Sequence, residues 1–440
     1  MAGGTGANEE SKCRMIRCFI FLLLCSNALF SQTVDLRSID YSVIPSNDSL
    51  ISKKYAFINS DCNSFQFFSD ESPNWTYLHQ QMSEMIANKD RKLNFYHIGG
   101  SHIQADIYTH DFRTFLQSNW PGLNGERGLV FPFGLAKTNN PSNYHFSSPN
   151  TWKSYRSVND HPDDLDYGLT GATIRCADSV ITINFKHMRT MVKPPFNKLR
   201  IYHNTGEFPY ELNFGGQELL VSETYHHVEL GYSEITFTDY IDSLDLQFVK
   251  NTTVPNILEI YGFELLNELP GITYNAIGIN GAGLYTYLGN EHFLRDLKIH
   301  PPDMFVFSVG TNDAYTSFGN FRPEVYKNNL ESLMKMILSV NPKCALLLTV
   351  PNDNQYRGAP NKNTERQREV IFQLAQEYQM AVWDFYGIMG ELGSSLTWRR
   401  NALMQGDYVH FTSDGYHLKG TLLIDAFLKY LTAFDELSSQ

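Results

Sequence analysis

Three short stretches carry residues whose types could do chemistry together: Gly99-Gly100-Ser101-His102, Gly310-Thr311-Asn312-Asp313 and Asp407-Tyr408-Val409-His410. Ser101 offers a hydroxyl that becomes a nucleophile once a base takes its proton. His410 is such a base. Asp407, one turn of chain earlier, can fix its tautomer and stabilise the imidazolium that forms. The side-chain amide of Asn312 is a donor for the oxyanion of a tetrahedral intermediate. A further turn, Gly278-Ile279-Asn280-Gly281-Ala282, offers the backbone N–H of Gly281. Each piece alone has an idle reading: an N-cap serine, a surface Asp–His pair, a loop-capping asparagine, a turn glycine. The ordered set contains the parts needed for acyl transfer through a serine.

Such residues need a frame that brings them together. Leu93–Ile98 reads as a strand and Gly99-Gly100 as a tight turn. Ser101 to Gln117 then reads as a helix, whose first turn would aim free N–H groups at the serine. Asn312 follows the apolar strand Met304–Val309, and Gly281 follows Ile272–Ile279. Two more strands are expected at Cys344–Val350 and Met380–Phe385. Helices are expected at about 322–340 and 364–379, and a last one runs from about Tyr416 to Leu437, just after the Asp407–His410 loop. Strands alternating with amphipathic helices predict a parallel sheet covered on both faces, with chemistry at the strand ends.

Between about Gly168 and Asn267 the pattern changes. Ala172–Cys176, Val180–Phe185, Leu199–Tyr202, Ile235–Phe237, Leu244–Phe248 and Ile257–Tyr261 are short runs, mostly alternating apolar and polar, punctuated by turn residues. They predict a β-sandwich inserted into the α/β domain. The stretch from Pro121 to about Pro162, rich in Gly, Pro, Asn and aromatics, predicts long ordered loops near a binding site. A helix is expected around Trp75–Asn88.

Taken together, the motifs resemble the SGNH (GDSL-like) hydrolases, whose four blocks supply Ser, Gly, Asn and His in that order. Ser101, Gly281, Asn312 and His410 stand at those positions, and the resemblance covers roughly 93–130 and 271–435. It implies an α/β fold with a flavodoxin-like parallel sheet, a Ser101–His410–Asp407 triad, and an oxyanion hole formed by Ser101, Gly281 and Asn312. No cofactor is implied. One departure is visible: Gly100 stands where the family usually has Asp. The inserted sandwich is similar to that of two-domain peptidoglycan O-acetylesterases, in which a carbohydrate-binding-module-like domain interrupts the hydrolase. That likeness implies an acetylated glycan as substrate, with peptidoglycan favoured. A lysophospholipase or arylesterase of the same superfamily is the alternative enzyme, expected to show a long apolar groove. An inactive glycan-binding protein, with Gly100 as a mark of decay, is the alternative from another class.

The domain layout expected is a signal peptide at 1–31, with Met15 as an alternative start, and an N-terminal segment at 32–91. The first hydrolase segment follows at 92–167, the sandwich at 168–268, and the second hydrolase segment at 269–440. The leader reading rests on Arg17, the apolar run Cys18–Cys25 and the small residues up to Ser31, a run too short to span a bilayer. Leu24 before Cys25 fits a lipid-attachment site poorly, so the expectation is a secreted or periplasmic protein without a lipid anchor.

The net charge of −12 and the absence of any basic stripe argue against nucleic acid as a partner. Outside the leader, Cys62, Cys176 and Cys344 give no disulfide framework, and no CxxC or HExxH supports a metal site. His97, His102 and His110 are expected to be ordinary hydrogen-bonded histidines. Sequons at Asn47, Asn74 and Asn251 read as chance matches.

Overall fold

The computed structural model describes residues 54–69, 72–190, 193–253 and 256–438. The expected leader, Met15, Cys25 and the Asn47 sequon lie outside the described residues.

Five strands form a parallel sheet. In space they run Gly271–Gly278, Lys92–Gly99, Met304–Ser308, Ala345–Thr349 and Ala381–Trp383. Counted along the chain the order is 2-1-3-4-5, the flavodoxin-like order expected. Both faces are covered, and the strands read as near-continuous buried runs: all five residues of Ala345–Thr349 are buried. Helices Pro323–Val340 and Asn363–Glu377 pack with the sheet around a core that includes Phe305, Leu348, Leu333 and Leu374.

Some of the N-terminal segment completes this domain. Phe65–Gln66 adds a short antiparallel edge beside Ala381–Trp383. Helix Pro73–Asn88 buries Trp75 edge-on against Tyr430 of the last helix, Ser413–Ser438.

The insertion folds as two antiparallel sheets facing a separate core. Val180–His187 shows the reason. Its residues alternate out and in, burying Ile181, Ile183 and Phe185, and Ile183 pairs with the equally buried Leu246. Phe146 joins the two sheets, with ring centroids 5.0 Å from Phe185 and 5.1 Å from Phe263.

Three differences from the sequence reading stand out. The segment expected to be loops holds strands Gly128–Val130, Tyr144–Ser147 and Lys153–Arg156. All three join the antiparallel sheets, which therefore reach back before residue 168. Strands Tyr210–Asn213 and Val221–His227 also went unread. Val221–His227 lies at a sheet edge with no buried residue, so it has no apolar face to betray it. Finally, the helix expected over Ser101–Gln117 is two pieces, Ser101–Gln104 and Tyr108–Ser118. The break falls at Asp106, whose φ of 44° is left-handed. Its buried carboxylate accepts hydrogen bonds from Thr109, Arg113, Arg127 and Asn143, which hold the chain in that conformation.

Candidate active site

The sheet register places three of the candidate residues. Gly278, Gly99 and Ser308 lie side by side at the C-terminal ends of adjacent strands. Gly281, Ser101 and Asn312 follow these ends directly. Strands one and three are where the strand order reverses, the crevice in which open α/β sheets bind ligands.

Ser101 Oγ lies 2.8 Å from His410 Nε2, and His410 Nδ1 lies 2.7 Å from Asp407 Oδ2. The tight Asp407–His410 turn is built by Tyr408, at φ 57°, and by Asp407 Oδ1, which accepts the N–H groups of Val409 and His410 at 2.9 and 3.0 Å. Asn352 Nδ2 donates to the Val409 carbonyl, and the Gln405 N–H donates to the His410 carbonyl, tying the turn to the domain. Burial disfavours ionisation of Asp407, but hydrogen bonds from the His410 ring and the two backbone N–H groups outweigh it. Its carboxyl therefore lies below the ordinary range.

The loop carrying Gly281 is held from three sides. Asn312 Nδ2 donates to the Ala282 carbonyl at 2.9 Å, leaving its second N–H for the cleft. Asp313 accepts the Leu284 N–H at 3.0 Å, and burial pushes its carboxyl up to about 7. Gln104 Oε1 accepts the Asn280 N–H at 2.6 Å. Gly281 sits at φ 88°, a conformation that favours glycine.

These groups open into a cleft of about 720 Å³. Its walls mix Ala105, Ile107 and Phe411 with the polar Asn139, Asn140, Ser142, Tyr315 and Gln405. Asp407 is the one carboxylate among the described residues of these walls, and none of them is a lysine or arginine. None of Gln104, Asn139, Asn140, Ser142, Tyr315 or Gln405 was picked out from the sequence. The 139–142 residues come from the stretch expected to border a binding site, but nothing in their types singles them out.

The three histidines near Ser101 in sequence have protein partners. His97 bonds Tyr274 Oη and Ser308 Oγ, each at 2.6 Å. His102 Nδ1 bonds Tyr416 Oη at 2.9 Å, and His110 Nδ1 meets Arg113 at 3.4 Å. Burial holds His97 and His102 well below the usual histidine range, so both are neutral. Cys62, Cys176 and Cys344 are free thiols, the last two buried.

Residues 260–418 match the sequence profile of the GDSL-like Lipase/Acylhydrolase family. That segment of the α/β domain is similar to the GDSL-like (SGNH) family. The matched segment carries Gly281, Asn312, Asp407 and His410 but not Ser101, which the insertion separates from it in sequence and the sheet returns to it in space. Among solved structures, one described as a peptidoglycan O-acetylesterase in action aligns at 18% identity and a TM-score of 0.66. The alignment covers 84% of this chain and 99% of that one, so the two share the α/β fold with its inserted β domain. An acetyl xylan esterase, AlAXEase, aligns at 18% identity over 35% of this chain and 81% of its own, with a TM-score of 0.30. A GDSL-like lipase from Bacteroides thetaiotaomicron aligns at 20% identity over 36% and 76%, with a TM-score of 0.28. No curated protein matches the chain.

Proposed function

We propose that this chain is an exported serine esterase that removes O-acetyl groups from carbohydrate, with peptidoglycan the favoured polymer. The carrying observation is the unbroken relay Asp407–His410–Ser101 at the floor of the cleft, with distances of 2.7 and 2.8 Å.

In this reading His410 takes the Ser101 proton as Oγ attacks the ester carbonyl. The oxyanion is received by the N–H groups of Ser101 and Gly281 and the free N–H of Asn312. His410 then gives its proton to the departing sugar hydroxyl. A water, deprotonated by His410, releases acetate and regenerates Ser101. Asp407 stays ionised and holds the ring with Nε2 toward Oγ throughout.

The sugar side of the proposal rests on the walls. Amide and hydroxyl groups from Asn139, Ser142 and Gln405 suit a neutral hydroxylated acceptor better than a long acyl chain. Tyr315, packed edge-on against Tyr356 at 5.1 Å, adds an aromatic face at the same cleft. The fold shared with a structure described as a peptidoglycan O-acetylesterase supports the choice of polymer. Export rests on the leader-like sequence that runs up to Ser31.

The test is acetate release from O-acetylated peptidoglycan and from acetylated xylan, alongside chromogenic esters of increasing acyl length. Faster release from peptidoglycan, with turnover falling beyond acetyl, is expected. Turnover that rises with chain length would mark a lysophospholipase or broad arylesterase instead.

A further inference from the structure

We infer that Gln104 is a positioning residue that sets the oxyanion loop and the insertion-side wall of the cleft together; this rests on the esterase reading of the same site. Gln104 sits one turn after Ser101 on the nucleophile's own short helix, and it is 2% exposed. Its side chain has one acceptor and two donor positions. Oε1 takes the Asn280 N–H at 2.6 Å, the donor of the residue just before Gly281. Nε2 donates to the Asn139 carbonyl at 2.7 Å and reaches Thr138 Oγ1 at 3.3 Å.

The two bonds go to segments that share no other element. Asn280 belongs to the loop after the second parallel strand, whereas Asn139 belongs to the stretch leading into strand Tyr144–Ser147 of the insertion. Asn312 and Asp313 already hold the far side of the Gly281 loop, at Ala282 and Leu284. Gln104 holds its near side, so the direction of the Gly281 N–H depends on all three. The same amide fixes Asn139 and, through it, the wall where the acceptor would lie. A buried amide with both ends satisfied in opposite directions is costly to replace, because either partner would be left unpaired.

The two ends can be separated experimentally. Gln104→Glu keeps an acceptor for the Asn280 N–H but loses the donor to the Asn139 carbonyl; Gln104→Met loses both at similar volume. Each variant, checked for folding by circular dichroism, is assayed on a chromogenic acetyl ester and on O-acetylated peptidoglycan. For Gln104→Met, kcat on the small ester should fall about 10- to 100-fold, a fraction of the cost of losing one oxyanion donor. For Gln104→Glu, kcat on the small ester should stay within about threefold, while KM for the polymer rises roughly tenfold, the factor that 1.4 kcal/mol of binding carries. Wild-type kinetics in a folded Gln104→Met, or the same loss of kcat in both variants, would overturn the inference. If Gln104→Met does not fold, the split between small ester and polymer in Gln104→Glu decides alone. Absence of turnover by the unaltered protein on every acetyl ester would instead overturn the esterase reading, and this inference with it.

Discussion

The side-chain amide of Asn312 occupies the space beside Gly100: a β-carbon at position 100 would lie 2.9 Å from Asn312 Nδ2 and 3.4 Å from the Ala282 carbonyl. The φ of Gly100 is −89°, so the backbone itself does not require glycine; the neighbouring amide does. The glycine that departs from the family's usual Asp thus makes room for a proposed oxyanion donor, which argues against reading it as decay.

Gly100→Ala should therefore act on catalysis more than on stability. The atom it meets is the end of a side chain, which can swing away cheaply. Expected are an unchanged fold by circular dichroism, a melting temperature within a few degrees, and kcat lowered by about 10²–10³ on a chromogenic acetyl ester, the usual effect of losing one such donor. Unaltered kcat would separate Asn312 from the oxyanion.

Asp407→Asn should leave KM near the unaltered value and lower kcat. Loss of the orienting carboxylate at a buried triad costs about 10⁴. The Asp407 side chain is 45% exposed, so water can replace some of its role, and a loss of roughly 10²–10³ is expected. A steady-state comparison at pH 7 to 8 checks this, because the carboxyl lies below the ordinary range and is fully ionised there.

Asp106→Ala tests the junction between the helix that starts at Ser101 and the insertion. It would leave Arg113 and Arg127 buried without their shared carboxylate, where removing one partner of a buried pair costs about 3–5 kcal/mol. Urea titration should show a loss of that size. A change under about 1 kcal/mol would mean that the arginines find other partners.

Lys419 predicts a pH-dependent stability. Its ammonium is buried against the faces of Tyr108 and Phe385, at 4.8 and 4.3 Å, and burial brings its pKa down from 10.5 to about 7. Between those values the unfolded chain holds a proton that the folded chain does not, so this group's contribution to stability rises with pH from about 7 to 10. Below 7 both states are charged, and the fold bears the cost of the buried charge. Lys419→Met removes that dependence: the unaltered protein should gain stability relative to the variant as pH rises from 7 to 10. Parallel stability curves would contradict it.

Much of this was legible in the sequence, for a physical reason. The parallel strands are buried on both faces, so Ala345–Thr349 and Met304–Ser308 appear as plain apolar runs, and glycines follow the ends of Lys92–Gly99, Gly271–Gly278 and Met304–Ser308. Ser101, Gly281 and Asn312 follow strand ends, and Asp407 and His410 sit in the loop before the last helix, where residue type itself carries the signal. What stayed hidden depends on pairing. Lys153–Arg156 and Val221–His227 are strands because a neighbour accepts them, and neither shows a buried face. Asp106 broke a helix through contacts with Arg127 and Asn143, which no local pattern could announce. Gln104 is the sharpest case, since an ordinary glutamine matters only through the two loops the fold brings to it.

The central claim is that Ser101, activated by His410, attacks an acetyl ester. The most direct measurement is mass spectrometry of the protein quenched during turnover of a chromogenic acetyl ester, paired with kinetics of Ser101→Ala. The account predicts an acetyl group on the peptide bearing Ser101, and a folded variant whose turnover falls by at least about 10³. Acetate release by Ser101→Ala at the unaltered rate, with no acetylated Ser101 in the parent protein, would contradict it.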